Sequence, residues 1–313
     1  MSPDWAMIAI RLGLFLSLIL LVGMAAFPLY ALRKSERIEE TVLPLRSSLG
    51  LLALGGLVLS AIGFLVLLAS MTGNPLSAPD WATGRSILFE TPIGTAWLVR
   101  MAALATAFWA AFSVRSTDRR LTLVTLAGAV ALGSLVWTGH AGASEGNLGL
   151  VHKASDVLHM LAAAVWLGGI AAFLLLLRLA SGQDEETRMM VGHRALGEFS
   201  RVGSVCVLII TGTGLVNAQI LVGYENLTQA LGSDYGRLLA VKLALVGAML
   251  LLAAKNRWRL TPALGTAIED GETGSATAAL RTSLLLEAGA AVTILALVAW
   301  LGTLEPTASM AMP

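Results

Sequence analysis

Residues 160–177 read MLAAAVWLGGIAAFLLLL and contain no charged side chain. A helix needs about 20 predominantly apolar residues to cross the hydrocarbon core of a bilayer. The residues immediately before this run, HKASDVLH at 152–159, carry two histidines, an aspartate and a lysine. The two stretches together predict one transmembrane helix over 152–177, with its polar side chains in the first turns.

The rest of the chain has the same apolar character. Its 313 residues are 56% hydrophobic and 13% charged, whereas a soluble domain is about 25% charged. Strands of a transmembrane β-barrel would alternate apolar and polar residues over about ten positions, but these runs are continuous and roughly twice as long. The sequence therefore predicts an all-α polytopic membrane protein, a bundle of eight transmembrane helices in contact with lipid. The predicted spans are 5–30, 48–71, 93–114, 121–138, 152–177, 202–221, 237–254 and 283–303.

Basic residues divide the connections into two sets. Fifteen Lys and Arg lie in four alternate connections, 33–46, 115–120, 178–201 and 255–281, while the other set holds three. Connections rich in Lys and Arg remain in the cytoplasm. We therefore expect both termini to be periplasmic.

The remaining chain organisation is simple. The first apolar run continues to Tyr30, which is too long for the core of a cleaved signal peptide, so we expect it to remain as the first span. Cys206 is the only cysteine and falls in a predicted span, so an intrachain disulfide is excluded. We predict a single transmembrane domain over 1–313, with four helices in 1–138, a second half over 139–306 and a periplasmic tail over 307–313.

Polar residues follow one stripe at the start of the fifth span. His152, Asp156 and His159 are spaced i, i+4, i+7, which places them on one helix face over about 10 Å. Imidazole nitrogen and carboxylate oxygen are metal ligands. His140, in WTGHAGA at the end of the preceding span, is predicted to lie at the same end of the bundle, whereas His193 lies in a predicted cytoplasmic connection.

These four residues, His140, His152, Asp156 and His159, are the predicted metal ligands. An ionisable residue within a membrane is costly and therefore indicates function. The alternative is structural, because histidines near an interface also satisfy backbone groups, and Asp156 could form a salt bridge with Lys153 or with a cation inside a span.

Methionine sulfur is a second class of ligand, since soft thioethers suit Cu(I). Met160 adjoins the polar stripe, and Met310 and Met312 lie in the terminal sequence ASMAMP. All three are possible accessory ligands. For the last two, a frayed terminus is the alternative.

Further polar residues interrupt other spans. The stretch TGTGLVNAQ at 211–219 provides small residues for close helix packing and amides for interhelical hydrogen bonds or for the lining of a pathway. Arg100, Lys242 and Glu287 lie within or near spans and are possible buried charge pairs.

Some functions are not expected. The chain has no phosphate-binding glycine-rich loop followed by Lys and Ser or Thr, so ATP-driven pumping by this chain is not expected. It has no soluble region large enough for a separate active site, and we predict neither an enzyme nor a nucleic-acid-binding protein.

Four long blocks resemble the bacterial copper-resistance protein D (CopD) family. They are DVLHMLAAAVWLGGI at 156–170, EFSRVGSVCVLIITGTGLVNA at 198–218, DYGRLLAVKLALVGAMLLLAAKNRWRL at 234–260 and RTSLLLEAGAAVTILALVAWLGTLEP at 281–306. The resemblance implies an eight-helix inner-membrane protein of copper homeostasis and copper resistance that passes copper from the periplasm to the cytoplasm. It also implies a separate periplasmic copper carrier of the CopC type as partner.

The resemblance also assigns residue roles. It implies that His140, His152, Asp156 and His159 handle copper, as Cu(I) or Cu(II), and it implies helix-packing roles for the following residues: Trp166, Gly168 and Gly169. A copper transporter would need polar side chains that continue toward the cytoplasm.

Two alternative functions stay open. Histidines on facing helices also hold haem b, although His159 has no predicted histidine partner at its depth. A sensory or structural subunit that binds copper without moving it would fit a polar stripe that ends halfway through the bilayer.

Overall fold

The computed structural model describes residues 4–38, 42–179, 185–271 and 273–305. Within these ranges, eight helices are long and apolar enough to cross a membrane, which confirms the predicted architecture. The helices are α1 Trp5–Ala31, α2 Lys34–Ile38, α3 Arg46–Thr72, α4 Trp81–Glu90, α5 Pro92–Ser113, α6 Thr117–Gly133, α7 His140–Ala143, α8 Gly146–Leu179, α9 Glu185–Leu221, α10 Leu227–Ala230, α11 Asp234–Lys255, α12 Thr261–Asp270 and α13 Gly274–Leu301. The spans are α1, α3, α5, α6, α8, α9, α11 with α12, and α13.

The bundle has two ends, which we name by their residues. The His140 end is where α1 begins and where α6, α9 and α13 finish, and the Arg37 end is the opposite one. Successive spans run in opposite directions, as the alternating connections predict. The assignment of the His140 end to the periplasm stays a prediction of the basic-residue distribution.

Several helices are longer than their apolar runs. We predicted spans beginning at 152 and 202, but α8 begins at Gly146 and α9 at Glu185. Hydropathy detects only the segment that lipid can accept, whereas backbone hydrogen bonds continue the helix through polar residues. The polar stripe therefore lies inside α8 rather than at its first turn.

The connection between α3 and α5 contains a helix that hydropathy does not predict. The Asp80 carboxylate accepts hydrogen bonds from the amides of Ala82 and Thr83 and caps the start of α4. On its inner face, Ile87 packs against Phe64 and Leu68 of α3. The short helix α4 thus covers the His140 end of α3 and α5.

Helix α1 lies at the centre of the fold, against α3, α6, α8 and α13. At its crossing with α8 the two backbones touch at a pair of glycines. A Cβ on Gly168 would lie 2.3 Å from the Gly23 Cα, and a Cβ on Gly23 would lie 1.9 Å from the Ala164 carbonyl oxygen. Glycine at both positions is what allows this close crossing.

Helices α9 and α11 lie at the outside of the bundle. Only 6% of the most apolar stretch of each is buried, against 61% for α8. Helix α9 packs against α8 and helix α11 against α13, and within the described residues the two outer helices make few contacts with each other. A cavity of about 350 Å³ lies between them in the half of the bundle nearer the Arg37 end.

Candidate functional site

His140 joins three helices at one end of the bundle. Its Nε2 lies 3.1 Å from the carbonyl oxygen of Leu301 at the end of α13, and its ring contacts Tyr235 at the start of α11 with centroids 6.1 Å apart. Because a carbonyl only accepts, Nε2 carries the hydrogen and Nδ1 keeps its lone pair. That nitrogen is chemically able to bind a metal ion.

The protonation of His140 favours the same conclusion. Burial lowers the pKa of His140, and the charge of Arg11 lowers it as well. The hydrogen bond to the Leu301 carbonyl raises the pKa by less than these effects lower it. The imidazole is therefore neutral at neutral pH, which is the form that binds metals.

His152 is buried, with 2% of its surface exposed. Its Nδ1 lies 2.8 Å from the Ser144 hydroxyl, in the turn between α7 and α8. The neighbouring Lys153 ammonium donates to the Ser144 carbonyl oxygen at 2.7 Å. The salt bridge to Lys153 that we considered for Asp156 is thus replaced by a bond from Lys153 to the backbone.

His159 faces α9 about 10 Å farther along the helix than His152. Its Nδ1 lies 2.9 Å from the Thr213 hydroxyl oxygen, and that hydroxyl lies 2.6 Å from the Ile209 carbonyl oxygen. The hydroxyl donates to the carbonyl, so it accepts the Nδ1 hydrogen and leaves the His159 Nε2 lone pair free. A hydrogen bond of this kind orients an imidazole for metal binding.

Asp156 interacts electrostatically with two cations. The Asn217 amide nitrogen donates to its Oδ1 at 3.3 Å, and Lys242 of α11 and Arg11 of α1 both interact with it electrostatically. Lys242 also acts on His159. Asn217 Oδ1 is buried and has no hydrogen-bond partner among the described residues, so an oxygen acceptor beside Asp156 is unused.

We call this set of side chains the polar cluster. It comprises Arg11, His140, His152, Asp156, His159, Thr213, Asn217, Tyr235 and Lys242. The four predicted ligands share this region, but in the part of the chain that the structure describes no three His, Cys, Asp or Glu side chains come close enough together to hold a metal ion. The cluster thus offers separate nitrogen and oxygen atoms along a line rather than a closed cage.

The predicted accessory ligands are placed differently from one another. Met160 is half-buried and packs against the apolar core. Met310 and Met312 lie outside the described residues, as does the predicted tail. No copper-binding geometry for the methionines follows from these positions.

The residues given packing roles lie at helix contacts. Trp166 is buried, and Gly168 lies at the α1 crossing described above. A Cβ on Gly169 would lie 2.4 Å from the Phe199 ring of α9 and 3.0 Å from the Tyr30 hydroxyl. Both glycines therefore occupy positions that a larger residue cannot enter without moving a neighbour.

The three charges inside spans have separate surroundings. Arg100 is 3% exposed, and its Nε has no hydrogen-bond partner within the described ranges. Lys242 belongs to the polar cluster. Glu287 accepts a hydrogen bond from the Asn256 amide rather than pairing with Lys242 or an arginine.

Arg11 and Tyr235 of the polar cluster were not predicted as ligands, although Arg11 is one of the cations inside spans that could pair with Asp156. Arg11 lies in the apolar α1, and its Nη1 donates to the Thr138 carbonyl oxygen at 3.3 Å. A cation inside an apolar span is itself a signal of a buried polar partner. Tyr235 has no comparable signal, because aromatic residues are common near membrane interfaces.

Comparison with known proteins agrees with this picture. A family model described as copper resistance protein D-like, N-terminal domain, matches residues 1–150, and one described as copper resistance protein D matches residues 193–301. Copper resistance protein D of Pseudomonas syringae pv. tomato is 40% identical over 304 residues, which cover 96% of this chain and 96% of that protein. The chain belongs to the copper resistance protein D family.

Two further members of this similarity group are more distant. Inner membrane protein YebZ of Escherichia coli (strain K12) is 29% identical over 70% of this chain and 71% of that protein. Copper transport protein CutJ of Bacillus subtilis (strain 168) is 29% identical over 54% of this chain and 31% of that protein. No solved structure matches the chain.

These relatives indicate the membrane location and the general role of the chain. Eight apolar helices and an inner-membrane relative identify the chain as a multi-pass protein of the inner membrane. Relatives named for copper resistance and copper transport identify it as a protein of copper homeostasis, and none of the three names describes an enzyme.

Proposed function

We propose that this copper resistance protein D family member moves copper ions from the periplasm to the cytoplasm, and that the ion enters through the polar cluster. The observation that carries the proposal is the pair of free imidazole nitrogens, His140 Nδ1 and His159 Nε2. Both are set by hydrogen bonds in which the other ring nitrogen donates. Contact with lipid alone does not require imidazoles that are oriented in this way.

In this proposal the cluster works as a series of transient contacts. His140 and the buried His152 lie at the end of the bundle that is predicted to be periplasmic, and they capture the ion. Asp156 supplies a negative charge deeper in the bundle, and His159 receives the ion there. Separate ligands suit an ion that must leave again, because an ion held by a complete cage dissociates slowly.

The two cations of the polar cluster, Lys242 and Arg11, act on the charge of Asp156 in the proposed series of contacts. When no ion is present, Lys242 and Arg11 offset part of the cost of a buried carboxylate at Asp156. An arriving copper ion competes with them for the carboxylate. We expect binding to copper to be weakened by both cations and therefore reversible.

A separate periplasmic carrier of the CopC type is the proposed source of the ion. This part of the proposal rests on the family resemblance. The surface proposed to receive such a carrier is the His140 end, which the basic-residue distribution predicts to be periplasmic.

The first experiment measures metal content on purified protein loaded anaerobically with Cu(I). We expect about one copper ion per chain in the wild type, because free imidazoles bind copper, and loss of most of it in His159→Ala. His193→Ala is the matched control, since His193 lies on α9 at the Arg37 end, where it faces Gly265 of α12. That variant should keep its copper.

The absorption spectrum of the same samples separates the alternative functions. A haem Soret band with iron in the protein would favour a cytochrome. Copper uptake into proteoliposomes by wild type, absent in His159→Ala, is expected for transport. Copper binding without uptake would indicate a sensory or structural subunit and would overturn the proposed function.

A further inference from the structure

Glu287 is a buried carboxyl far from the polar cluster. It is 1% exposed and lies on α13 about 20 Å before the end of that helix at Leu301, taking 1.5 Å per residue. The polar cluster lies at the His140 end, and Glu287 lies in the opposite half of the same bundle. The proposed entry of copper makes no use of it.

Asn256 contacts Glu287 directly, and Ser283 lies one turn away on the same helix. The Asn256 amide nitrogen donates to its Oε1, while Asn256 Oδ1 is buried and has no hydrogen-bond partner within the described residues. Ser283 lies one turn earlier on α13, and its buried hydroxyl also lacks a described partner. Unused buried oxygens of this kind indicate a missing partner such as water or a proton.

The backbone around Asn256 is unusual. Residues Asn256–Leu260 form a π-helical turn between α11 and α12. Such turns are rare in proteins, and those that do occur are often found at functional sites. Here Asn256, the first residue of the turn, donates its amide hydrogen to Glu287. Arg257 is the next residue of the same turn.

The cavity between α9 and α11 reaches this carboxyl. Its volume of about 350 Å³ gives room for several water molecules, and its wall contains Glu287, Asn256, Ser200 and Ser204 among apolar side chains such as Trp166. The wall thus connects the half of the bundle below His159 with the Arg37 end. Most of that wall is apolar, and Glu287 and Asn256 are among its few polar side chains.

The charges around Glu287 do not neutralise it. Arg257 is the other charged side chain on the cavity wall, and its guanidinium donates to the Ser200 carbonyl and the Ser204 hydroxyl of α9. From the helices packed against α13, namely α1, α8, α11 and α12, no described charged side chain interacts electrostatically with Glu287. An ionised carboxylate in that position is costly, and the neutral acid is the stable form.

The donor chemistry identifies the ligand class. Carboxyl, amide and hydroxyl oxygens are hard donors, whereas Cu(I) prefers thiolate, thioether and imidazole. A hard cation such as Ca²⁺ takes about six or more oxygen ligands, which is more than this group offers. A proton needs only one carboxyl oxygen to hold it.

We propose that Glu287 is a proton-binding site, protonated in the resting protein, that gives its proton to water in the cavity when a copper ion crosses. The carboxylic O–H bond breaks, the proton passes to a cavity water, and the carboxylate that remains compensates the charge of the passing ion. The coupling to copper rests on the proposed function; the protonation of Glu287 does not.

The protonation is tested by dicyclohexylcarbodiimide, which reacts with protonated carboxyls in apolar surroundings. The full chain in lipid bilayers is treated across a pH series and the modified peptides are identified by mass spectrometry. We expect modification of Glu287 at neutral pH, a decrease at alkaline pH, and none in Glu287→Gln. Exposed Glu198, which pairs with Arg201, is the control that should stay unmodified. An unmodified Glu287 at every pH overturns the proposal.

The coupling is tested in proteoliposomes that contain a pH-sensitive dye and carry an imposed copper gradient. Copper entry should be accompanied by proton movement in wild type, and Glu287→Gln should reduce that proton movement at least about tenfold while the copper content of the polar cluster is retained. Glu287→Asp should keep part of that proton movement.

Proton movement that survives in Glu287→Gln, or copper entry without proton movement, overturns the coupling. A wild type that carries no copper overturns the proposed function, and the carbodiimide result then decides the protonation of Glu287 separately.

Discussion

The two sides of this bundle are built differently. Helices α1 and α8 are packed on several sides, with 56% and 61% of their most apolar stretches buried, whereas the corresponding fraction for α9 and for the span that contains α11 is 6% each. Backbones touch at Gly23 and Gly168 on the packed side. On the other side, a cavity separates α9 from α11.

Small and apolar residues are concentrated on the packed side, and the polar groups described above lie at its boundary with the outer helices. The packed side is held by small residues and apolar side chains, which hold helices together in lipid. The polar cluster and Glu287 both lie where that side meets α9, α11 and α13. The proposed route for the ion requires polar groups and room to move, and we place it on the side of α9 and α11 for that reason. Each of the following predictions tests one part of this comparison.

The largest effect is expected at the glycine crossing. Gly168→Ala would place a Cβ 2.3 Å from the Gly23 Cα, so α1 and α8 must separate. We expect destabilisation above about 4 kcal/mol, seen as loss of folded protein in thermal unfolding. Gly247→Ala on α11 is the control, because no atom lies within 4 Å of that Cβ, and it should unfold like the wild type. Equal stability of the two variants would refute the contrast between the sides.

A smaller loss of stability is expected at the Arg37 end of α1. Arg37 donates to the carbonyls of Pro28, Leu29 and Leu32, at 3.2, 3.3 and 2.7 Å, and to Asp118 at 2.8 Å. Arg37→Ala leaves the last carbonyls of α1 and the carboxylate without this partner, so we expect a loss of about 2 kcal/mol in unfolding measurements.

The matched control for that variant is Arg201→Ala. Arg201 forms an exposed ion pair with Glu198 on α9 at 3.0 Å, with 76% of its side chain exposed. Such pairs contribute about 0–1 kcal/mol. A control variant that loses as much stability as Arg37→Ala would show that the outer helix is not loosely held.

Copper binding is expected to respond to a change that leaves the ligands in place. A Cβ on Gly214 would lie 3.7 Å from the His159 Cε1, so Gly214→Leu covers the ring edge between the two ring nitrogens. We expect at least about tenfold weaker copper binding, equivalent to about 1.4 kcal/mol, with little change in stability.

Titration with Cu(I) under anaerobic conditions measures that effect. Gly212→Leu is the control, because its Cβ would meet no atom within 4 Å. If both leucine variants bind copper as the wild type does, His159 is not a ligand and the proposed site is wrong.

The smallest effect is a pH dependence at the contact between the two sides. Glu36, just after α1, is bonded by Arg194 of α9 and accepts from the Arg33 amide at 2.8 Å. Burial raises the pKa of Glu36, but Arg194 and Arg33 together lower it more, so it lies below its ordinary value of 4.5. The pair therefore stabilises the fold above pH about 4.5, and this stabilisation is lost as the pH falls through the lower folded-state pKa.

The comparison with Glu36→Gln measures that contribution. At pH 7 the wild type should be more stable by less than about 1 kcal/mol, because the pair is partly exposed. The difference should vanish in acid. A difference that persists or grows as the pH falls would contradict the assigned charge on Glu36.

The sequence predicted the architecture well for a physical reason. Lipid accepts only continuous apolar helices, so hydropathy finds α1, α3, α5, α6, α8, α9, α11 and α13. The same cost of burying polar groups explains why the stripe at His152, Asp156 and His159 turns into the bundle. The short helix α4 was missed because its ten residues are too few and too polar to register.

The contacts of the site could not be read from the sequence. Whether His159 meets a histidine or a threonine depends on the rotation of α9, which is set by packing over the whole helix. The same holds for Glu287, whose partner Asn256 follows from a π-helical turn. Spacing along α8 placed the predicted ligands on one face, but it could not determine that three of them do not meet.

The glycine crossing also determines which parts of the bundle can move. Two backbones in direct contact cannot slide or tilt without a clash, so α1 and α8 act as a fixed frame. In the proposed transport, we expect any rearrangement that lets the ion pass to involve α9 and α11 rather than α1 and α8. Spin labels on α1 and α8 should report one constant distance, while a pair on α9 and α11 should report a distribution that changes when copper is added.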